Sequence, residues 1–511
     1  MSLESVLWEN DATALAGLVR KGEISPVELV DAAIARAERT QPQINATAEK
    51  LYEAARSRAR SVDRSLPLAG VPTALKDLGI AMKGVPNHSG SRMPPFVPDY
   101  DSVLTQRLLA AGLIPIVTST TPELGLRLVT ESAAFGVTRN PWDTNHITGG
   151  SSGGAAALVA AGVVPVAHAS DGGGSIRVPA ACNGLVGLKT SRGRIPLTPL
   201  ASEAWYGFVA DHAVTRSVRD SALLLDLTHG PDGLAPYAAR PPRGSFTAAA
   251  ARDPGRLRLA VYRQSPLGLE ISHETLAALD TAVALAREGG HSVEEIDLPF
   301  IGRDFIGDFA RTVASAVAGT LAGAAQRTGR PVSGEVERAT RVLARYGELL
   351  SAGEIYAGLE RLQAASRQLF AETARYDAVL MPLIAHPPLK CGAMDPNGMD
   401  AFLEDMLDRL RLTRLLRLKP LLGQLLDNSL WFTHWPAIQN VSGQPSIALP
   451  VHVTADGLPL GIQAAGRPGD EETLLSLAAQ MERLSGWLDR RAPLLRPAPL
   501  AGASHNHAEA L

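Results

Sequence analysis

Gly149-Gly150-Ser151-Ser152-Gly153-Gly154 and, further on, Asp171-Gly172-Gly173-Gly174-Ser175 are the two stretches on which the reading of this chain turns. Between them lie an uncharged alanine-rich run from Ala155 and then Val163-Val164-Pro165-Val166. The alanines predict a helix and the valines a strand, so the two glycine-serine clusters bracket one helix and one strand. Glycine at this density turns the chain without a Cβ penalty and lets backbone N–H groups approach a bound group closely. Successive N–H groups from Gly172 to Ser175 can point into one concavity, the backbone nest that holds an anion.

Outward from this core the pattern stays α/β. Gly70-Val71-Pro72-Thr73-Ala74-Leu75-Lys76-Asp77 reads as a strand that ends in a polar pair, Asp101 to Leu109 as a helix, and Gly112 to Val117 as a strand again. Upstream, Ser25-Pro26-Val27-Glu28 carries a serine N-cap, proline at N1 and glutamate at N3, so the first 60 residues are expected to be helices. Downstream, Leu257 to Tyr262 predicts a strand, Glu274 to Glu288 a helix, Ser315 to Arg375 mostly helix, and Tyr376 to Pro382 a buried strand. Phe432 to Gly466 reads as strands and turns, and Glu471 to Leu484 as a helix. Ala238 to Arg252 is an exposed connection without the composition of a domain boundary. The expectation is one α/β domain over residues 1–497 with helical insertions, followed by a disordered tail at 498–511.

Composition narrows the function. Lys+Arg 49 against Asp+Glu 52 gives a net charge of −3, so no cation excess favours nucleic acid. Cys182 and Cys391 cannot make a disulfide framework, which points to a reducing compartment. The N-terminus lacks a basic region followed by an apolar core, and the run Ala155 to Ala167 is too short for a membrane span. A cytoplasmic enzyme is the expectation. Lysines are few, so Lys76, at the end of an apolar strand, stands out.

Amide hydrolysis needs a nucleophile, a base and N–H donors aimed at the developing oxyanion. The second cluster offers Ser175 behind three glycines, and the first offers Ser151 and Ser152. A lysine is a base only when neutral, and burial at a strand end lowers its pKa by disfavouring the charged form. A serine between the two could relay a proton from an attacking hydroxyl to Lys76. A rival reading takes Gly150-Ser151-Ser152-Gly153-Gly154 as a G-x-S-x-G nucleophile elbow, making Ser152 the nucleophile of an α/β-hydrolase-type esterase with His386 or His434 as partner. It leaves Lys76 and the second cluster unexplained.

These residues together resemble the amidase signature family. Gly149 to Gly154 and Asp171-Gly172-Gly173-Gly174-Ser175-Ile176-Arg177 carry the resemblance, which extends through Gly70 to Asp77, Thr121-Pro122-Glu123-Leu124-Gly125, Asn140-Pro141-Trp142-Asp143, Tyr376 to Pro388 and Asn440 to Pro445. It implies a central mixed β-sheet flanked by helices. It also implies Ser175 as nucleophile, Ser151 as a cis-peptide relay serine, Lys76 as base, and the amides of Gly172, Gly173, Gly174 and Ser175 as oxyanion hole. Gly172 stands where most members carry a larger residue, and Ser-Asp-Gly-Gly-Gly-Ser is closest to the branch that holds 6-aminohexanoate cyclic dimer hydrolases. Small synthetic amides are then plausible substrates, and by the same acyl-transfer logic carbamates (urethanes), anilides and esters; the sequence does not choose. A second member of the family, the amidotransferase A-like subunit that amidates mischarged glutamyl-tRNA, is the alternative within it.

Asp171 and Arg177 read as an ionic brace for the nucleophile loop, and Thr130 and Glu131 as candidate pocket residues by family position. Cys182 reads as a small buried residue. His505-Asn506-His507 in the tail is weak evidence for a metal, so neither metal nor cofactor is expected. Asp400 to Asp427 is amphipathic, with leucines among arginines, and fits either a packed helix, a lid or a membrane-surface contact. Monomer and homodimer are both open.

Overall fold

The structure, a computed structural model, describes residues 2–396 and 398–494. The tail at 498–511, with His505 and His507, lies outside the described residues. The strands in chain order are β1 (Thr47–Lys50), β2 (Pro72–Lys76), β3 (Ile114–Ser119), β4 (Glu131–Ser132), β5 (Gly136–Val137), β6 (Val166–Asp171), β7 (Val186–Lys189), β8 (Ala210–Thr215), β9 (Arg258–Val261), β10 (Ser292–Glu295), β11 (Ala378–Met381), β12 (Ser446–Val453) and β13 (Pro459–Gly466).

Eleven of these form one sheet in the order β1-β3-β2-β6-β8-β7-β12-β13-β11-β9-β10, and β4 pairs β5 in a separate hairpin. The sheet is mixed. β2 runs parallel to both β3 and β6, and β9 parallel to β10 and β11. The pairs β6/β8, β7/β8, β7/β12 and β12/β13 are antiparallel. β3 and β6 are buried at every position, so neither presents a solvent-facing side. The helix Gly153–Ala160 is likewise buried along its whole length, as its uncharged Gly-Gly-Ala-Ala-Ala-Leu-Val-Ala sequence requires.

One core runs from the N-terminal helices, through Leu15 and Leu29, across the sheet to Leu474 and Met481 near the C-terminus. The capping box at the start of helix Pro26–Ile44 forms as the sequence demands, with Ser25 and Glu28 each satisfying the other's backbone N–H. β1 interrupts the expected run of helices. It is four residues long and has no apolar period, and it pairs antiparallel on the edge of β3, whose N–H and C=O groups would otherwise lack partners. Within the region expected to be strands and turns, Ala437–Ser442 is a helix that stops at Gly443 with φ 73°.

The amphipathic segment divides into the helix Gly398–Arg409, a short 3₁₀ turn at Thr413–Arg417 and the helix Lys419–Leu430, with Pro420 in the first turn of the last. Its apolar face packs on the body. Leu407, Leu416 and Leu422 are buried against Ala314, Val342 and Tyr346, and Arg341 and Arg345 both grip Asp408. No helix among the described residues is long and apolar enough to cross a membrane.

Candidate active site

The two parallel neighbours β2 and β6 end side by side, and the site is built beyond their carboxyl ends. Lys76 is the last residue of β2. Asp171 is the last of β6, and the chain continues through Gly172, Gly173 and Gly174 into Ser175 and the buried helix Arg177–Asn183. The first glycine cluster arrives from the other side, and the bond between Gly150 and Ser151 is a cis peptide. Gly154 has no room for a side chain, because a Cβ there would lie 2.5 Å from the Thr120 backbone nitrogen. That close approach seats the loop against the end of β3.

The three residues expected to do chemistry are all buried: Lys76 is 1% exposed, Ser151 2% and Ser175 5%. Lys76 Nζ donates to Ser151 Oγ at 2.8 Å. The Ser152 N–H donates to the Ser175 carbonyl at 3.3 Å, which ties the first glycine-serine loop to the second. Burial pushes the Lys76 ammonium down to about 7, against the opposing pull of the Asp211 and Asp171 charges. An amine in that range is partly neutral at physiological pH and can accept a proton.

Asp171 and Arg177 form a closed brace. Arg177 Nε donates to Asp171 Oδ2 at 2.9 Å and Nη2 to Oδ1 at 3.0 Å, with both side chains fully buried. The remaining guanidinium N–H groups reach Gln439, Gln463, Asn440 and the Pro436 carbonyl. Burial alone would raise the Asp171 pKa, but the Arg177 charge and hydrogen bonds, with help from Lys189 and Asn440, hold the carboxyl well below the usual carboxylate range.

Asp171 also engages one of the four amides expected in the oxyanion hole. The Gly174 N–H donates to Asp171 Oδ1 at 2.7 Å, so it shapes the loop and is not aimed at a substrate oxygen. Gly174 itself has φ 123°, a conformation that a side chain would resist.

Thr130 and Glu131 brace loops. The Thr130 hydroxyl donates to the Gly149 carbonyl at 2.9 Å and accepts the Gly153 N–H at 3.1 Å, holding the first glycine-serine loop from both ends. Glu131 accepts the Gly392 N–H at 2.9 Å. The nucleophile-elbow alternative finds no partner for its serine. Ser152 is fully buried with its hydroxyl donating to the Ser170 carbonyl, while His434 bonds Ser265 and the Trp431 carbonyl, and His386 meets the Trp431 ring edge-on. Cys182 is buried in apolar surroundings that push its thiol up, so it is inert.

Ser170 was not singled out from sequence, yet its Oγ lies 3.0 Å and its carbonyl 3.4 Å from Lys76 Nζ. The signal was available in Val166-Ala167-His168-Ala169-Ser170-Asp171, where polar residues interrupt a strand otherwise built from buried small residues. Trp205 and Phe309 also border the loop: a Cβ on Gly172 would lie 2.9 Å from Trp205 Cε3, and one on Gly173 would lie 3.3 Å from Phe309 Cζ.

With this geometry in view, known proteins can be compared. A family model described as amidase matches residues 28–475. The chain belongs to the amidase family. It is 35% identical over 514 residues to a 6-aminohexanoate-cyclic-dimer hydrolase of Paenarthrobacter ureafaciens, an alignment covering 96% of this chain and 98% of that protein. A solved structure of 6-aminohexanoate cyclic dimer hydrolase superposes with a TM-score of 0.85 at 31% identity, covering 96% of this chain and 99% of the other. A bacterial aryl acylamidase of the amidase signature family gives a TM-score of 0.82 at 27% identity, covering 96% and 99%. The mixed-sheet α/β fold is therefore the amidase signature fold, and this amidase hydrolyses carbon–nitrogen bonds of amides.

Proposed function

We propose that this amidase works through an acyl-enzyme on Ser175. The Ser175 hydroxyl attacks the substrate carbonyl and passes its proton to Ser151 Oγ, while the Ser151 proton moves to Lys76 Nζ. Collapse of the tetrahedral intermediate breaks the C–N bond, and the proton returns along the same relay to the departing amine. Water then attacks the acyl-enzyme, activated by the same base. No cofactor enters the reaction. The observation that supports this reading most directly is the 2.8 Å contact between Lys76 Nζ and Ser151 Oγ in a buried site. The Gly172, Gly173 and Ser175 amides stabilise the oxyanion, each worth roughly 3 kcal/mol by comparison with other acyl-transfer sites.

For substrates, the relatives' names favour small amides such as the cyclic dimer of 6-aminohexanoate and aryl acylamides. Carbamates, anilides and esters share the same tetrahedral chemistry and belong to the proposed range. We place the enzyme in the cytoplasm as a monomer or homodimer. The test is hydrolysis of a chromogenic anilide by wild type, Ser175→Ala, Ser151→Ala, Lys76→Ala and Ser152→Ala. Loss of turnover in Ser175→Ala, with falls of several orders of magnitude in the relay and base variants, supports the reading. Retention by Ser175→Ala with loss in Ser152→Ala overturns it.

A further inference from the structure

Next to Lys76, on β6 and β8, lies a second buried polar pair. The β2–β6 ladder pairs Thr73 with Val166 and Ala74 with Ala167. Beyond it the Lys76 N–H goes to a side chain: it donates to His168 Nδ1 at 3.2 Å. A ring nitrogen that accepts a backbone N–H carries no proton, so the neutral His168 ring holds its proton on Nε2. Nε2 faces Asp211 Oδ2 across 3.8 Å, with the two side chains 1% and 2% exposed. Asp211 stands on β8 directly opposite Ser170, the residue whose Oγ touches Lys76 Nζ. One strand-to-strand step therefore separates a buried carboxylate from the lysine's amine.

We infer that Asp211, oriented by His168, is the buried counter-charge of Lys76, a positioning residue that fixes when the base is neutral and steadies the ammonium it becomes after taking the Ser151 proton. This rests on the proposed Ser175–Ser151–Lys76 reading. Asp211 takes no proton itself; the proton stays on Lys76 until it returns to the departing amine. The other charged groups around Lys76 are already engaged. Asp171 is bound by Arg177, and Asp77, next in the chain, turns to accept the His88 and Gly90 N–H groups. β3 offers the uncharged Ser119 opposite Lys76. Asp211 also heads the charges that pull the Lys76 pKa upward against burial.

The experiment is the pH dependence of kcat/KM for anilide hydrolysis in wild type, Asp211→Asn, His168→Gln and Lys76→Ala. Asparagine keeps the shape of Asp211 and removes its charge. Without that charge the ammonium of Lys76 is less favourable, so the acidic limb moves to lower pH by about one unit, and the rate above the limb falls about tenfold because the ammonium of the intermediate loses its counter-charge. His168→Gln shifts the limb in the same direction by less. An Asp211→Asn limb that stays in place while the rate falls uniformly overturns the inference and leaves the triad standing. A Lys76→Ala enzyme that keeps its rate and its limb overturns the triad and the inference with it. Should Asp211→Asn not fold, the His168→Gln limb decides: a limb at the wild-type position counts against the inference.

Discussion

Ser170 gives both of its oxygens to Lys76, with Oγ 3.0 Å and the carbonyl 3.4 Å from Nζ. Both oxygens favour the charged form of the base, since an ammonium donates three hydrogen bonds and a neutral amine fewer. Ser170→Ala removes one acceptor of a charge-assisted bond, worth about 1.5–3 kcal/mol. The expected outcome is a fall of roughly 10- to 100-fold in kcat/KM with an acidic limb displaced to lower pH, measured on the same anilide.

Lys76 sets the shape of the pH profile. Its pKa is lowered from the ordinary 10.5 to about 7, chiefly by burial, and only the neutral amine can take the Ser151 proton. Activity should therefore rise with pH through about 7 and level off above it. A rate that stays flat from mildly acidic to mildly alkaline pH would argue against a lysine base. The same shift fixes the sign of a stability effect. Between about 7 and 10.5 the unfolded lysine binds a proton that the folded one does not, so this group's contribution to stability rises with pH across that window. Lys76→Met should accordingly raise the melting temperature at pH 7 while abolishing hydrolysis, a trade seen when a buried charge is kept for function.

The brace between Asp171 and Arg177 should be costly to break. Arg177→Ala leaves a fully buried carboxylate without its paired guanidinium, a loss of about 3–5 kcal/mol. Asp171 holds the loop through the Gly174 and Ile176 N–H groups as well, so the nucleophile loop loses its shape with the brace. Thermal unfolding checks the first effect, and loss of Ser175 labelling by a serine-directed sulfonyl fluoride checks the second.

Gly172 and Trp205 form a matched pair. The ring occupies the space a side chain at 172 would need, and Trp205 and its neighbour Tyr206 hold left-handed backbones, φ 49° and 56°, to place it there. Gly172→Ala should destabilise by about 1–3 kcal/mol through overpacking, and adding Trp205→Leu should recover much of that loss. A double-mutant cycle on unfolding free energies measures the coupling; additive losses would show that the ring does not depend on the missing side chain.

The segment 400–427 should stay seated during turnover. Leu407 is fully buried and Asp408 is gripped by two arginines, which hold the first helix to its neighbours. Limited proteolysis is expected to give the same cleavage pattern with and without a slow substrate; substrate-dependent protection within the segment would instead reveal a moving lid.

What the sequence determined by itself was the local chemistry and the layering. Two glycine-serine clusters around a helix and a strand, a lysine closing an apolar strand, and the Ser25–Glu28 capping box are short-range signals, and each one leads to the element or neighbour it implied. The amphipathic pattern of residues 400–427 was also legible, but its division into two helices was not, because the turn is set by what Leu407, Leu416 and Leu422 meet on other helices. The tertiary structure alone decided the rest. It placed Ser170 beside Lys76 and Asp211 opposite Ser170 on the next strand, gave the Gly174 amide to Asp171, and brought Trp205 and Phe309 over the glycines. Those relations depend on which strands pair and on which side chain fills the space that a glycine leaves. No local propensity encodes either, because both are properties of the packed interior.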